Sequence, residues 1–245
     1  MENLGARRWW ILAAVVLATL AIGLDGTVLS VALPTLAADL HATTVQLQWF
    51  VASYTLVLAA AVLPGGLLGD RFGRKRMLMI ALAVFGLGSL ACAYAGTPGV
   101  FIAARVVAGI GAAFATPMSL SVLAVVFDER ERPRAVGIWA GATFLALPVG
   151  PILGGWLLSH YWWGWVFLVN LPVVLLGIVA VGVWVPESRA SVRPGLDPVG
   201  VLSSCAGLAL LTYGTIQAGQ HGWGSPAALA EIAGGLVLLA GFGWY

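Results

Sequence analysis

Between Trp9 and Leu36 the chain carries a single ionisable side chain, Asp25. An apolar run of this length crosses a bilayer as a helix, which takes about 20 mainly apolar residues. A carboxylate inside such a helix costs about 2.5–3.5 kcal/mol on insertion scales. A chain carries that cost where the carboxylate faces a bundle interior or a water-filled path. Asp25 therefore reads as a site for a proton, an ion or an organic cation. The other reading is a structural carboxylate satisfied by a neighbouring helix.

Apolar runs recur along the whole sequence. Eight are long enough to span, at roughly 9–36, 45–69, 77–95, 100–127, 135–158, 164–184, 198–218 and 226–245. With 9% charged residues against about 25% in soluble domains, the expected fold class is an all-α polytopic membrane protein. A net charge of +2, without a basic patch interleaved with aromatics, excludes nucleic acid as a partner. Cys92 and Cys205 lie inside apolar runs and read as small apolar side chains. No nucleophile–base set or metal-ligand cluster is legible, and His41, His160 and His221 all fall in loops, so neither an enzyme nor a cofactor or metal is expected. The first run is too long for a signal-peptide core, and residues 1–8 read as a short cytoplasmic tail.

The cations set the topology. Arg7 and Arg8 precede the first run; Arg71, Arg74, Lys75 and Arg76 fill the second loop; Arg130, Arg132 and Arg134 the fourth; Arg189 and Arg193 the sixth. The odd loops hold no Lys or Arg. By the positive-inside rule, the even loops and both termini are cytoplasmic. Trp9, Trp10, Trp139 and Trp184 then fall at inner ends, and Trp49, Trp162, Trp163 and Trp223 at outer ends, as an aromatic belt.

Other residues stand out from the apolar background. Tyr54, near the middle of the second run, needs a partner or a cavity for its hydroxyl. Gly66, Gly69, Asp70 and Gly73 around the second loop are not explained by a solvated basic turn; Gly73 suits a positive φ, and Asp70 can meet an arginine or a facing helix N-terminus. Arg105 is the lone basic side chain inside a membrane run and needs an anion or water. At 1.5 Å per residue it and Asp25 differ in depth by about 6–10 Å, a gap for side-chain reach and an intervening water. Snorkelling to the outer headgroups is the alternative. Gly109, Gly111 and the flanking alanines permit close helix approach. The fifth run carries the small-residue pairs Gly137/Gly141 and Gly150/Gly154 together with Pro148 and Pro151, which suits a packing seam or a bending part. Asn170 is polar within the sixth run and is expected to hydrogen-bond across helices. Asp197 suits a helix cap, and Glu231 a structural or rim carboxylate.

On these residues the sequence resembles the major facilitator superfamily, and within it the 14-helix drug:proton antiporters. Leu24-Asp25-Gly-Thr27-Val-Leu-Ser30-Val-Ala-Leu-Pro34 is similar to the first-helix signature L-D-x-T-x-x-N-V-A-L-P, with Ser30 for Asn. Residues 66–78 match the loop signature G-x-L-x-D-R-x-G-R-K-x-x-L. The stretch after Arg105 resembles R-x-x-Q-G-x-G-A-A with Ala108 for Gln; Gly150-Pro151-Ile-Leu-Gly154-Gly155 resembles the antiporter signature G-P-x-x-G-G; Trp163–Pro172 resembles W-R-W-x-F-x-x-N-x-P with Gly164 for Arg.

The resemblance implies a six-helix transporter bundle over residues 1–185, a cytoplasmic linker at 186–197 and two additional membrane helices at 198–245. It implies that Asp25 is the protonatable carboxylate, with Arg105, Thr27 and Tyr54 as its coupling partners. Gly66, Asp70, Arg71, Gly73 and Arg74 would form the cytoplasmic gate loop, and Gly150, Pro151, Gly154 and Gly155 the antiporter helix that seals and flexes between halves. The implied activity is exchange of inward-moving protons for outward-moving amphipathic drugs across the bacterial inner membrane. The family's second six-helix half has no counterpart in these 245 residues, so a longer protein or a second chain is expected to supply it. Facilitated metabolite uptake and a truncated, non-transporting membrane partner remain as alternatives.

Overall fold

The computed structural model describes residues 7–189 and 197–244. Arg193 and most of the expected linker lie outside the described residues. The helices are α1 (Arg7–Asp39), α2 (Thr44–Phe72), α3 (Arg74–Ala93), α4 (Pro98–Val126), α5 (Arg132–His160), α6 (Trp165–Leu168), α7 (Asn170–Trp184), α8 (Pro198–His221) and α9 (Pro226–Trp244). Helices α6 and α7 form one span through Val169, which keeps helical angles, and eight helical segments among the described residues are long and apolar enough to cross a membrane. No strand occurs among the described residues.

Local chemistry sets the helix ends. Thr43 and Gln46 form a reciprocal capping box at the start of α2. The Thr97 hydroxyl accepts from the Val100 amide ahead of α4, and the Asp197 carboxylate from the Gly200 amide ahead of α8, the expected cap. Several helices run past their apolar stretch. Of the basic residues expected in the second loop, Arg71 falls in the last turn of α2 and Arg74, Lys75 and Arg76 in the first turn of α3, and a single residue, Gly73 at φ 115°, joins the two helices. Helix α4 continues through Pro117, and α5 through Pro148 and Pro151.

Helix α1 packs mainly on α5 and α7, α4 on α2 and α3, and α3 also on α7. Helix α8 lies on α2 and pairs with α9 through Gly207, Gly214 and Gly235, where an added Cβ would meet the facing helix within 2.9 Å. The cation-bearing loops share one end of the bundle. Arg8 pairs there with Glu131, Arg134 lies over the Trp9 ring, and Glu187 after α7 accepts from the Lys75 and Arg76 amides.

The interior divides into two apolar clusters. One, toward the basic end, includes Ile22, Phe85, Ala108 and Val174. The other, toward the opposite end, includes Val28, Cys92, Ala104 and Phe167. The boundary between them falls at the same level on four helices, and that level is polar: Asp25, Ser89, Arg105 and Asn170 are each no more than 2% exposed.

Candidate functional site

The polar level is assembled by glycines. An added Cβ at Gly111 would lie 2.4 Å from the Phe85 nitrogen of α3, and one at Gly88 would lie 2.5 Å from the Ala108 nitrogen of α4. Gly109, on the other side of α4, brings that helix onto the Tyr54 backbone of α2, at 3.0 Å from an added Cβ to the carbonyl oxygen. These contacts are the close approach that the small residues after Arg105 predict. One turn earlier, they leave Arg105 aimed across the interior.

Arg105 Nη1 donates to Asp25 Oδ2 at 2.6 Å, and Nε donates to the Phe50 carbonyl at 3.1 Å. Its guanidinium carbon lies 4.2 Å from the centre of the Tyr54 ring. The length of the side chain closes the expected depth gap by direct contact, so the bridging water of the sequence reading is not needed and Arg105 does not snorkel. Asn170 Nδ2 takes the other carboxylate oxygen, donating to Asp25 Oδ1 at 3.1 Å, and stands 3.5 Å from the Ser89 hydroxyl. Asp25 is thus held by α4 on one oxygen and by α7 on the other. The Tyr54 and Ser53 hydroxyls are buried with no hydrogen-bond partner among the described residues. Tyr54 therefore contributes its ring face to Arg105, and its hydroxyl remains available for a ligand or water.

Thr27, half a turn beyond Asp25, faces a different helix. Its hydroxyl donates within α1 and also lies 3.1 Å from the Ala146 carbonyl of α5. Gly150 is what admits it: an added Cβ there would stand 1.9 Å from Thr27 Oγ1, and one at Gly154 would stand 3.2 Å from Val28 Cγ1. Gly150 and Gly154 form the seam of α5 with α1, as their spacing predicts. Gly137, Gly141 and Gly155 do not join it; added Cβ atoms there meet nothing within 4 Å. Close approach through Gly137/Gly141 is thus not found among the described residues. Pro151 is half-buried beside the seam, and the Ile152 and Trp156 side chains stand out from it.

The gate-loop residues divide likewise. Asp70 Oδ1 accepts from Arg74 Nε at 2.8 Å and lies 2.7 Å from Nη2, so the pair spans the α2–α3 turn. Arg71 is exposed and is not brought to Asp70. Gly73 takes the predicted positive φ, and its missing side chain has a second purpose: an added Cβ would lie 2.6 Å from Glu187 Oε1. That carboxylate caps the start of α3 through the Lys75 and Arg76 amides at 3.2 and 3.3 Å. Gly66 has room, with Pro117 Cβ 3.8 Å from an added Cβ; the glycines that admit α4 are Gly65 and Gly69.

Ser89 and Glu187 carried no functional signal in the sequence. Ser89 is a small polar residue in an apolar run, and Glu187 lies beyond the sixth run. Trp163 reads as a belt residue yet is 5% exposed, because its indole N–H donates to Asp39 Oδ2 at 2.5 Å and its ring packs on Phe101 and Phe167. Asp39 closes that contact from the last turn of α1. Trp162 and Trp165 are the exposed rings of the same stretch. Among the described residues no metal-ligand cluster is found.

Solved structures with this fold include the proton:xylose symporter XylE, at TM-score 0.67 and 18% identity over 97% of this chain and 52% of that one. The POT family transporter PepTSo aligns at TM-score 0.65 and 15% identity over 97% of this chain and 52% of that one. Relatives by sequence carry names of resistance and export. The tetracenomycin C resistance and export protein of Streptomyces glaucescens is 34% identical over 98% of this chain and 45% of its own length. The methyl viologen resistance protein SmvA of Salmonella typhimurium is 43% identical over 74% of this chain and 37% of its own. The multidrug efflux pump LfrA of Mycolicibacterium smegmatis is 38% identical over 94% of this chain and 46% of its own. The chain thus spans a little under half the length of these relatives. The Major Facilitator Superfamily model matches residues 15–245, and the chain belongs to that superfamily of membrane transporters.

Proposed function

We propose that the chain is the proton-coupling half of a 14-helix drug:proton antiporter. Residues 1–185 would form the transporter half-bundle, 186–197 the linker and 198–245 the two additional helices. The observation that carries this reading is the pair of Asp25 and Arg105, each with about 1% of its side chain exposed, at the centre of a membrane bundle. A buried carboxylate bonded through both oxygens changes its contacts when it takes a proton, and that change is what a coupling site requires. The relatives' names, for tetracenomycin C resistance and export, methyl viologen resistance and multidrug efflux, support a drug-like substrate. Asp70, Arg74 and the turn at Gly73 would close the basic end, and the Gly150–Gly155 helix would face the other half. Alternating access rocks two halves about a midplane site, so the transport unit is completed by a second six-helix half.

The test is exchange in proteoliposomes. With a pH gradient imposed, the chain alone is expected to give no proton-driven uptake of a lipophilic cation dye. Joined to a second six-helix half, it is expected to accumulate the dye against its gradient and to move protons the other way. Robust exchange by the chain alone would overturn the two-half requirement, and dye movement indifferent to pH in the joined protein would overturn the coupling.

The orientation proposed is that of the bacterial inner membrane with the basic end and both termini in the cytoplasm. In sealed cells an impermeant thiol reagent is expected to label cysteines placed at Thr97 or His221 and to miss those at Arg74 or Arg132. Labelling at Arg74 would invert the frame.

A further inference from the structure

The sixth span runs from Trp165 to Trp184, and Val169 within it keeps helical angles, φ −60° and ψ −24°. Pro172 leaves the Leu168 carbonyl without its helical partner, because it has no N–H to return to it. The span is tied to α1 on both sides of Val169. Ahead of it, Trp163 Nε1 donates to Asp39 Oδ2 at 2.5 Å; just past it, Asn170 Nδ2 donates to Asp25 Oδ1 at 3.1 Å. Asn170 is 1% exposed, so its amide is committed to the interior.

An amide is the side chain this place needs. It carries two donors on nitrogen and an acceptor on oxygen. Facing an ionised Asp25 it donates, as the structure shows. Facing a protonated Asp25 it can turn about its last torsion and present its oxygen to the new O–H. Arg105 cannot do this, because a guanidinium only donates. Leucine would serve neither state, and aspartate would add a second charge. We propose that Asn170 is the positioning residue of the Asp25 carboxyl, bonded to it in both protonation states, and that it sets the pH at which the site takes up its proton. This rests on the reading of Asp25 as the proton site. The other titratable or charged groups around Asp25 are Arg105 of α4, Tyr54 of α2 and Cys92 of α3; α5 meets this stretch of α1 through Thr143, Ala146, Gly150 and Gly154, none of which titrates.

The experiment uses Asn170→Leu, which keeps the branching at Cγ but carries no polar atom, and Asn170→Ser, which keeps a small polar group but falls short of Asp25. Infrared titration of the purified chain in lipid nanodiscs follows the protonated-carboxyl band that Asp25→Asn removes. The bond to the ionised form is charge-assisted and the stronger of the two, so losing both is expected to move the midpoint of that band toward higher pH by about half a unit to one unit. Where Asp25 is the proton site, the pH profile of drug exchange by the joined protein moves by the same amount. If Asn170→Leu does not fold, the Ser variant gives the same reading. An infrared midpoint unchanged from wild type in a folded variant overturns the proposal, whatever happens to transport. If Asp25→Asn itself transports normally, the coupling reading fails, yet the infrared midpoint still decides whether Asn170 governs the carboxyl.

Discussion

Asp25→Asn, in the chain joined to a second half, is expected to reduce proton-driven drug export to background while the protein still folds and reaches the membrane. The geometry explains why these two outcomes separate. Asparagine retains one oxygen, which can accept from Arg105 Nη1 where Oδ2 does now, at 2.6 Å. Its nitrogen then faces Asn170, whose own amide can turn to accept. Arg105 keeps the Phe50 carbonyl and the Tyr54 ring. What is lost is the ionisable group and the charge opposite the guanidinium. Transport down a drug gradient, which needs no proton exchange, is expected to persist in part. Asp25→Glu is expected to be intermediate: it ionises, but an added methylene must fit between Arg105 and Asn170, and overpacked interiors cost about 1–3 kcal/mol. Efflux assays against an imposed pH gradient decide the point. Uphill export by Asp25→Asn at the wild-type rate would make the carboxylate structural and place the proton path elsewhere.

The sequence was most informative where a residue type was expensive. A carboxylate and a guanidinium inside apolar helices had to be satisfied, so Asp25 and Arg105 were legible as a site. Their direct contact was not. Depth counted along two ideal helices leaves out both the length of an arginine and the closeness of α4 to its neighbours, which Gly88, Gly109 and Gly111 set. Asn170 was legible as a polar residue that must bond across helices, but its partner was not, because an apolar run shows no hydrophobic face from which to fix the helix's rotation. Ser89 gave no signal, since a serine in a membrane helix can satisfy itself on its own backbone. The gate loop divided along the same line: Gly73 was readable because only glycine accepts its φ easily, while Glu187 was hidden because its partners are backbone amides more than a hundred residues away. Two small-residue pairs of the same spacing in α5 had different outcomes. Gly150 and Gly154 meet α1; Gly137 and Gly141 face open space. Spacing states that a helix can be approached, not which helix arrives.

Arg105→Ala is expected to harm the fold far more than Asp25→Asn does, even though the resemblance implies a role for Arg105 in coupling. The difference follows from what each substitution leaves behind. Both side chains are about 1% exposed and the loss of either strands the other's charge, but asparagine still offers the guanidinium an oxygen, whereas alanine puts no donor in the arginine's place between two apolar clusters. Removing one partner of a buried ion pair typically costs about 3–5 kcal/mol, because the other charge is left uncompensated. The truncation also vacates the volume of the largest fully buried side chain in the bundle and frees the Phe50 carbonyl. Asp25 can take a proton in response and keep its bond to Asn170, which returns part of the loss. The double variant Asp25→Asn/Arg105→Met tests whether the cost is the stranded charge or the cavity, since methionine refills much of the space and no charge remains. Thermal unfolding of the chain in detergent is expected to rank wild type highest, then Asp25→Asn and the double variant, with Arg105→Ala lowest. A double variant as unstable as Arg105→Ala would assign the loss to packing. An Arg105→Ala protein that melts with wild type would mean that the pair contributes nothing to the fold and that its two charges are held there for transport alone.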